Sequence, residues 1–217
     1  MFGGAGLAHA VDAKCTVNGS NVTATTINGT SGNDVIVCGS LPSGTTINGL
    51  GGNDQIRLDA SDGGQGATFN EGTINGGDGL DFITIATTQG SSALIGNEGT
   101  INGGNGIDTI SVTGDGAATG AGGAGNVGTI NGGGGADIIT VRGGAGDGEG
   151  DTSDANEGSI NGGDGIDVIS LFAGADSVGE LGSSNSGTVD GEEGGNLNQC
   201  VIFGVNSGTI TNCLVVI

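Results

Sequence analysis

The sequence predicts an all-β chain wound as a parallel β-solenoid (a β-roll or β-helix) of about seven or eight coils with disulfide-stapled ends. Three observations predict it. A Gly-rich turn closes on an aspartate six times, at Asp34, Asp54, Asp81, Asp108, Asp137 and Asp167, spaced 20, 27, 27, 29 and 30 residues apart, and an isoleucine stands two residues after each. Before each turn runs a Thr-Ile-Asn or similar phrase, alternating polar, apolar, polar, which is the period of a strand with one buried face. Finally, Gly is 53 of 217 residues while aromatics are five Phe with no Tyr or Trp, so large side chains are too few to fill an ordinary globular core. Small and β-branched residues at repeat-locked positions suit thin stacked layers instead.

Element by element, the strand before the turn points Ile27, Ile47, Ile74, Ile101, Ile130, Ile160, Val189 and Ile210 inward. The strand after it does the same with Ile36, Ile56, Ile83, Ile110, Ile139 and Ile169. The turns themselves read Gly29-Thr-Ser-Gly-Asn-Asp34, Gly49-Leu-Gly-Gly-Asn-Asp54, Gly76-Gly-Asp-Gly-Leu-Asp81, Gly103-Gly-Asn-Gly-Ile-Asp108, Gly132-Gly-Gly-Gly-Ala-Asp137 and Gly162-Gly-Asp-Gly-Ile-Asp167. Glycine there permits both positive φ and close approach of the neighbouring coil. A degenerate seventh copy, Gly191-Glu-Glu-Gly-Gly-Asn196, follows. The stretches 114–125 and 143–155 read as loops or a loosely wound third side. One solenoid domain over 11–217 accounts for the chain, with an N-cap at 11–24, repeats at 25–184 and a C-cap at 185–217. Residues 1–10 end in Ala8-His-Ala10, the small-x-small pattern of a signal-peptidase site, and read as a leader remnant.

Four cysteines fall as two near pairs, Cys15 with Cys38 and Cys200 with Cys213. Three connectivities are open, and local pairing is preferred because it staples each end of a stack. Disulfides imply an oxidising compartment, so the chain is expected to be secreted. No run approaches the roughly 20 apolar residues of a membrane span. The net charge of −21, from 24 acidic residues against three basic ones, argues against nucleic acid as a partner. With His9 the only histidine and no Arg, Lys, Tyr or His cluster, no residue set stands out as a general base or electrophile, and the chain is expected not to be an enzyme.

The motif aspartates carry the chemistry. An ionised carboxylate accepts only, and glycine turns add carbonyl oxygens, so two stacked turns offer an all-oxygen shell of the kind calcium takes. Bare aspartates at strand spacing repel one another, and a divalent cation is the natural compensation. Six turns give up to five inter-turn sites. Asp78 and Asp164, at the third turn position, either add ligands or face solvent, and solvent is the preferred expectation. Capping of backbone N–H groups without metal is the competing role for such aspartates.

Gly-Gly-x-Gly-x-Asp-x-Ile is similar to the nonapeptide of the repeats-in-toxin, or hemolysin-type, calcium-binding family. That resemblance, over about residues 25–170, implies a parallel β-roll whose stacked turns hold calcium through Asp34, Asp54, Asp81, Asp108, Asp137 and Asp167. The family usually repeats the nonapeptide in tandem, whereas here it recurs once per 27–30 residues in the fuller repeats, which implies a larger coil with one calcium edge. The Asn-x-Gly-Thr-Ile phrase resembles β-helical passenger domains of bacterial adhesins more weakly. The function expected is a secreted calcium-binding solenoid with an adhesive, matrix or filament-forming role, its partners being calcium ions and either an extracellular surface or other copies of itself, end to end. The alternative is an ice-binding protein using a Thr column (Thr46, Thr73, Thr100, Thr129, Ser159, Thr188) beside an Asn column (Asn48, Asn75, Asn102, Asn131, Asn161).

Overall fold

The computed structural model describes residues 12–59, 68–86, 93–117, 119–192 and 198–216. The leader remnant expected at 1–10 lies outside them. Every regular element among the described residues is a strand. An antiparallel hairpin, β1 (Ala13–Val17) and β2 (Ser20–Ala24), opens the chain. Thereafter each coil contributes one strand to each of two long sheets.

One sheet stacks β3 (Thr26–Asn28), β5 (Thr46–Gly51), β8 (Thr73–Asp78), β11 (Thr100–Asn105), β13 (Thr129–Gly134), β15 (Ser159–Asp164), β18 (Thr188–Asp190) and β21 (Thr209–Thr211), all parallel. The other stacks β4 (Val35–Cys38), β6 (Gln55–Asp59), β9 (Phe82–Ala86), β12 (Thr109–Thr113), β14 (Ile138–Arg142), β16 (Val168–Phe172), β19 (Gln199–Phe203) and β22 (Leu214–Val216), also parallel. Hairpin strand β1 pairs antiparallel with β4 and places Cys15 opposite Cys38. The Cys15–Cys38 and Cys200–Cys213 disulfides both form, as local pairing requires.

Register follows the repeat. Ile74, Ile101, Ile130 and Ile160 stand in one column, Ile83, Ile110, Ile139 and Ile169 in the facing one, and all are fully buried. A second apolar residue two positions on (Leu58, Ile85, Val112, Val141, Leu171, Ile202) widens the core. Ile210, in β21 at the edge of its sheet, is only partly covered, with no strand stacked beyond it among the described residues.

The third side is irregular. Short strands β7 (Thr68–Asn70) and β10 (Ile95–Asn97) on one side, and β17 (Ser183–Asn185) and β20 (Val205–Asn206) on the other, flank isolated bridges at Asn126 and Asn156. What unites it is an internal asparagine ladder. Asn70 donates through Nδ2 to Oδ1 of Asn97 at 2.6 Å, Asn97 to Asn126 at 2.7 Å, Asn126 to Asn156 at 2.8 Å, Asn156 to Asn185 at 2.8 Å and Asn185 to Asn206 at 3.0 Å. The first five are fully buried, and a buried amide without such partners costs about 1–3 kcal/mol. About five turns are thus closed on all three sides, fewer than the seven or eight coils expected from the motif count. The stretches 114–117, 119–125 and 143–155 form the third side, looping out between ladder asparagines.

Candidate functional site

Each coil passes from the first sheet to the second through a corner built by the Gly-rich turn. The motif aspartate stands two residues before an inward isoleucine, so the period-2 alternation turns its carboxylate inward as well. Asp54, Asp81, Asp108 and Asp167 are 0% exposed, and Asp34 and Asp137 are 1% exposed. All six expected site residues therefore fall in one internal column.

One oxygen of each carboxylate has a fixed role. The backbone N–H of Asp34 donates to Oδ1 of Asp54 at 2.8 Å, Asp54 to Asp81 at 2.8 Å, Asp81 to Asp108 at 2.9 Å, Asp108 to Asp137 at 2.8 Å and Asp137 to Asp167 at 2.8 Å. Backbone capping by these aspartates is thus a fact of the fold, but it uses only Oδ1. The Oδ2 atoms of Asp54, Asp81, Asp108, Asp137 and Asp167 are buried and make no hydrogen bond. A buried, half-satisfied carboxylate is strongly disfavoured as an anion.

The proton affinities follow. Burial pushes Asp108 up to about 7 and Asp137 up to about 6 from an ordinary 3.8, and the charges of neighbouring column aspartates add to the rise. Asp54, Asp81 and Asp167 are raised in the same direction, again chiefly by burial. Each is partly restrained by the N–H bond to its Oδ1.

Asp34 differs. Its Oδ1 accepts from Nδ2 of Asn18 in the hairpin turn, and its Oδ2 accepts the Thr30 N–H at 2.6 Å and the Thr30 hydroxyl at 3.0 Å. Burial alone would raise this carboxyl, but the Thr30 and Asn18 donors outweigh it and hold it below the ordinary value. Alone among the six, both its oxygens have protein donors.

The turn glycines bring a carbonyl to four of the five orphaned oxygens, Asp167 being the exception. A Cβ on Gly103 would lie 2.3 Å from the carbonyl oxygen of Gly132 and 2.6 Å from Asp108 Oδ2. The same pairing recurs at Gly49 (Gly76 O, Asp54 Oδ2), Gly76 (Gly103 O, Asp81 Oδ2) and Gly132 (Gly162 O, Asp137 Oδ2). Carboxylate and carbonyl therefore crowd the space a side chain would fill. Gly103→Ala is expected to cost about 3 kcal/mol or more, because backbone and a buried carboxylate must both shift. Gly134→Ala, whose Cβ would meet nothing nearer than Asn105 Oδ1 at 3.5 Å, is expected to be close to neutral; paired thermal melts check both. Corner geometry also needs the left-handed region, with Gly104 at φ 123° and Gly106 at φ 130°, and Leu50 takes φ 84° in the register position of Gly77.

The seventh corner corrects the sequence reading. Asn196 lies outside the described residues, and the column position belongs to Asn198, whose Oδ1 accepts the Asp167 N–H at 2.7 Å. Its Nδ2 donates to the carbonyl oxygen of Gly191, and to that of Glu192 at 3.3 Å. The turn carries two extra residues there. The usable signal was inward Cys200, two residues after Asn198, in register with Ile169.

Among the described residues no group of three or more His, Cys, Asp or Glu comes together, so any ion in the column would rest on carboxylates supplemented by carbonyls. Asp78 and Asp164 face solvent as expected, and Asp78 accepts from Nδ2 of Asn105 at 2.8 Å. On the outer face of the first sheet the Thr and Asn columns stand in register, and the asparagines bond rung to rung, Asn75 to Asn48 at 2.9 Å, Asn102 to Asn75 at 2.8 Å and Asn131 to Asn102 at 2.7 Å. On the outer face of the other sheet the Arg142 guanidinium lies 3.8 Å from the Phe172 ring centroid, and Phe172 stacks on Phe203 at 4.6 Å. No helix among the described residues is long and apolar enough to cross a membrane. No protein-family model, curated protein or solved structure matches the chain.

Proposed function

We propose that this chain is a secreted, calcium-binding β-solenoid with a structural or surface-interaction role, its folding coupled to calcium. The observation that carries the reading is the line of five buried Oδ2 atoms without partners. The donor set fits the ion. It is all oxygen and stacked at strand spacing, whereas softer metals favour nitrogen and sulfur. Asp54, Asp81, Asp108 and Asp137 would hold calcium, with the carbonyl oxygens of Gly76, Gly103, Gly132 and Gly162 beside them in turn, while the orphaned Asp167 Oδ2 has no such carbonyl. Bound calcium supplies the positive charge that lets these carboxylates stay ionised in the interior. The two disulfides fit an oxidising, extracellular setting. Exposed Leu214, Val215 and Val216 on the last strand present an apolar open edge suited to end-to-end pairing of copies.

Circular dichroism with and without chelator at mildly alkaline pH tests it. Calcium should strengthen the strand signal and raise the melting midpoint, since an ion that binds only the folded chain stabilises it by mass action. An identical spectrum and midpoint after chelation would remove calcium from the account.

A second reading rests on the outer Thr and Asn columns, whose regular array suits an ordered water surface. Thermal hysteresis above that of a buffer control would favour it, and none would end it.

A further inference from the structure

We infer that the residues closing the two ends of the aspartate column set its capacity at four cations, with Asn198 as the terminator at one end and Asn18 with Thr30 at the other. The inference rests on the calcium reading and adds what bounds it.

Four corners combine an orphaned Oδ2 with the carbonyl of the next turn: Asp54 with Gly76, Asp81 with Gly103, Asp108 with Gly132 and Asp137 with Gly162. The flanking corners break this pattern, each in its own way. At the first, Gly49 O also approaches Asp34 Oδ2 across Gly29, but the Thr30 N–H and hydroxyl already fill that oxygen, and Asn18 stands in for the missing coil at Oδ1. At the last, Asp167 Oδ2 is orphaned, yet the atoms nearest a Cβ on Gly162 are all from Asp167 itself, with no carbonyl among them. The carbonyl that would complete this corner, Gly191 O, is engaged by Asn198 Nδ2. An amide there keeps the Oδ1 ladder running while its N–H₂ occupies the place of a cation. Asparagine is thus a neutral end plug, nearly isosteric with the residue it replaces.

The chemistry predicts how the count moves. Asn198→Asp removes the amide donor, frees the Gly191 carbonyl to face Asp167 Oδ2 and adds a site. Asp137→Asn places an amide mid-column, where it takes the Gly132 carbonyl from Asp108 and removes the Asp137 oxygen, so two sites go. Asp34→Asn changes a carboxylate that no site uses, so the count stands even if the fold loosens.

Equilibrium dialysis against calcium chloride, with calcium per chain measured by elemental analysis and folding followed by circular dichroism, tests the inference. Four ions on the parent chain, five on Asn198→Asp, about two on Asp137→Asn and four on Asp34→Asn are expected. A parent chain that binds no calcium overturns the calcium reading itself. A parent that binds a different number, an unchanged count in folded Asn198→Asp, or a loss in Asp34→Asn overturns the end-plug inference while leaving calcium binding intact. Should Asn198→Asp fail to fold, the contrast between Asp137→Asn and Asp34→Asn decides alone, and equal counts in the two overturn it.

Discussion

Asp108→Asn should make the calcium-free protein more stable and the calcium-saturated protein less stable than the parent. Asp108 is fully buried, its Oδ1 accepts the Asp81 N–H, and its Oδ2 has no partner. Its carboxyl is raised from 3.8 to about 7, chiefly by burial, and every tenfold change in proton affinity corresponds to about 1.4 kcal/mol. Above pH 7 the ionised form therefore opposes folding by up to about 4 kcal/mol. An amide keeps the Oδ1 bond and replaces the orphan with a donor aimed at carbonyl oxygens, as Asn198 shows at the seventh corner. In chelator at about pH 8 the variant should gain about 3 kcal/mol, roughly 6–12 °C in melting midpoint for a chain of this size. In saturating calcium the sign reverses, because the ion has lost its carboxylate. A variant less stable than the parent under both conditions would mean that Asp108 is a well-satisfied structural cap.

The calcium-free fold should also be most stable in mild acid, and the sign can be worked out. A carboxyl whose folded-state pKa lies above its unfolded value favours folding while protonated, so its contribution is complete below about pH 4 and is lost as pH rises through the folded value. Asp137 and Asp108 put that loss around pH 6 to 7, and Asp54, Asp81 and Asp167 move the same way. Together the two largest rises amount to on the order of 5 kcal/mol or more between pH 4.5 and 8. The acid limb has the opposite sign. Burial opposes it at Asp34, yet hydrogen-bond donors hold both Asp34 and Asp190 below the ordinary value, and their contribution disappears as pH falls through those lowered values. Chelated protein should therefore melt highest near pH 4 to 5 and fall steadily toward pH 8, while saturating calcium restores the alkaline limb. A chelated melting midpoint that climbs from pH 5 to 8 would show that the column carboxylates have partners the structure lacks.

The parts of this architecture legible in the sequence were those that obey a fixed local period. Asp108 and Ile110 point inward together because they are two residues apart in one strand direction, so the Gly-turn spacing located both the core and the column. Cysteine proximity likewise located both disulfides. What escaped were features that depend on neighbouring coils. The buried ladder from Asn70 to Asn185 opens the visible Asn-x-Gly-Thr-Ile phrase, yet its burial follows from a third wall whose strands are too short to carry a period. Asn198 escaped because two extra residues shift the last turn, so counting from Gly191 lands on Asn196. Asp34 looks like its fellows in spacing, but Thr30 stands where four of the later turns have a second glycine, and that substitution supplies the donors that set it apart. Thr30 was the readable clue.

Crystals grown in calcium and measured for anomalous scattering test the central claim most directly. The account predicts a row of calcium peaks inside the corner, about one strand spacing of 4.8 Å apart, each beside the Oδ2 atom of Asp54, Asp81, Asp108 or Asp137. An ordered column with these oxygens facing glycine carbonyls and no anomalous density between them would contradict it, and would make the aspartates a chain of buried acids.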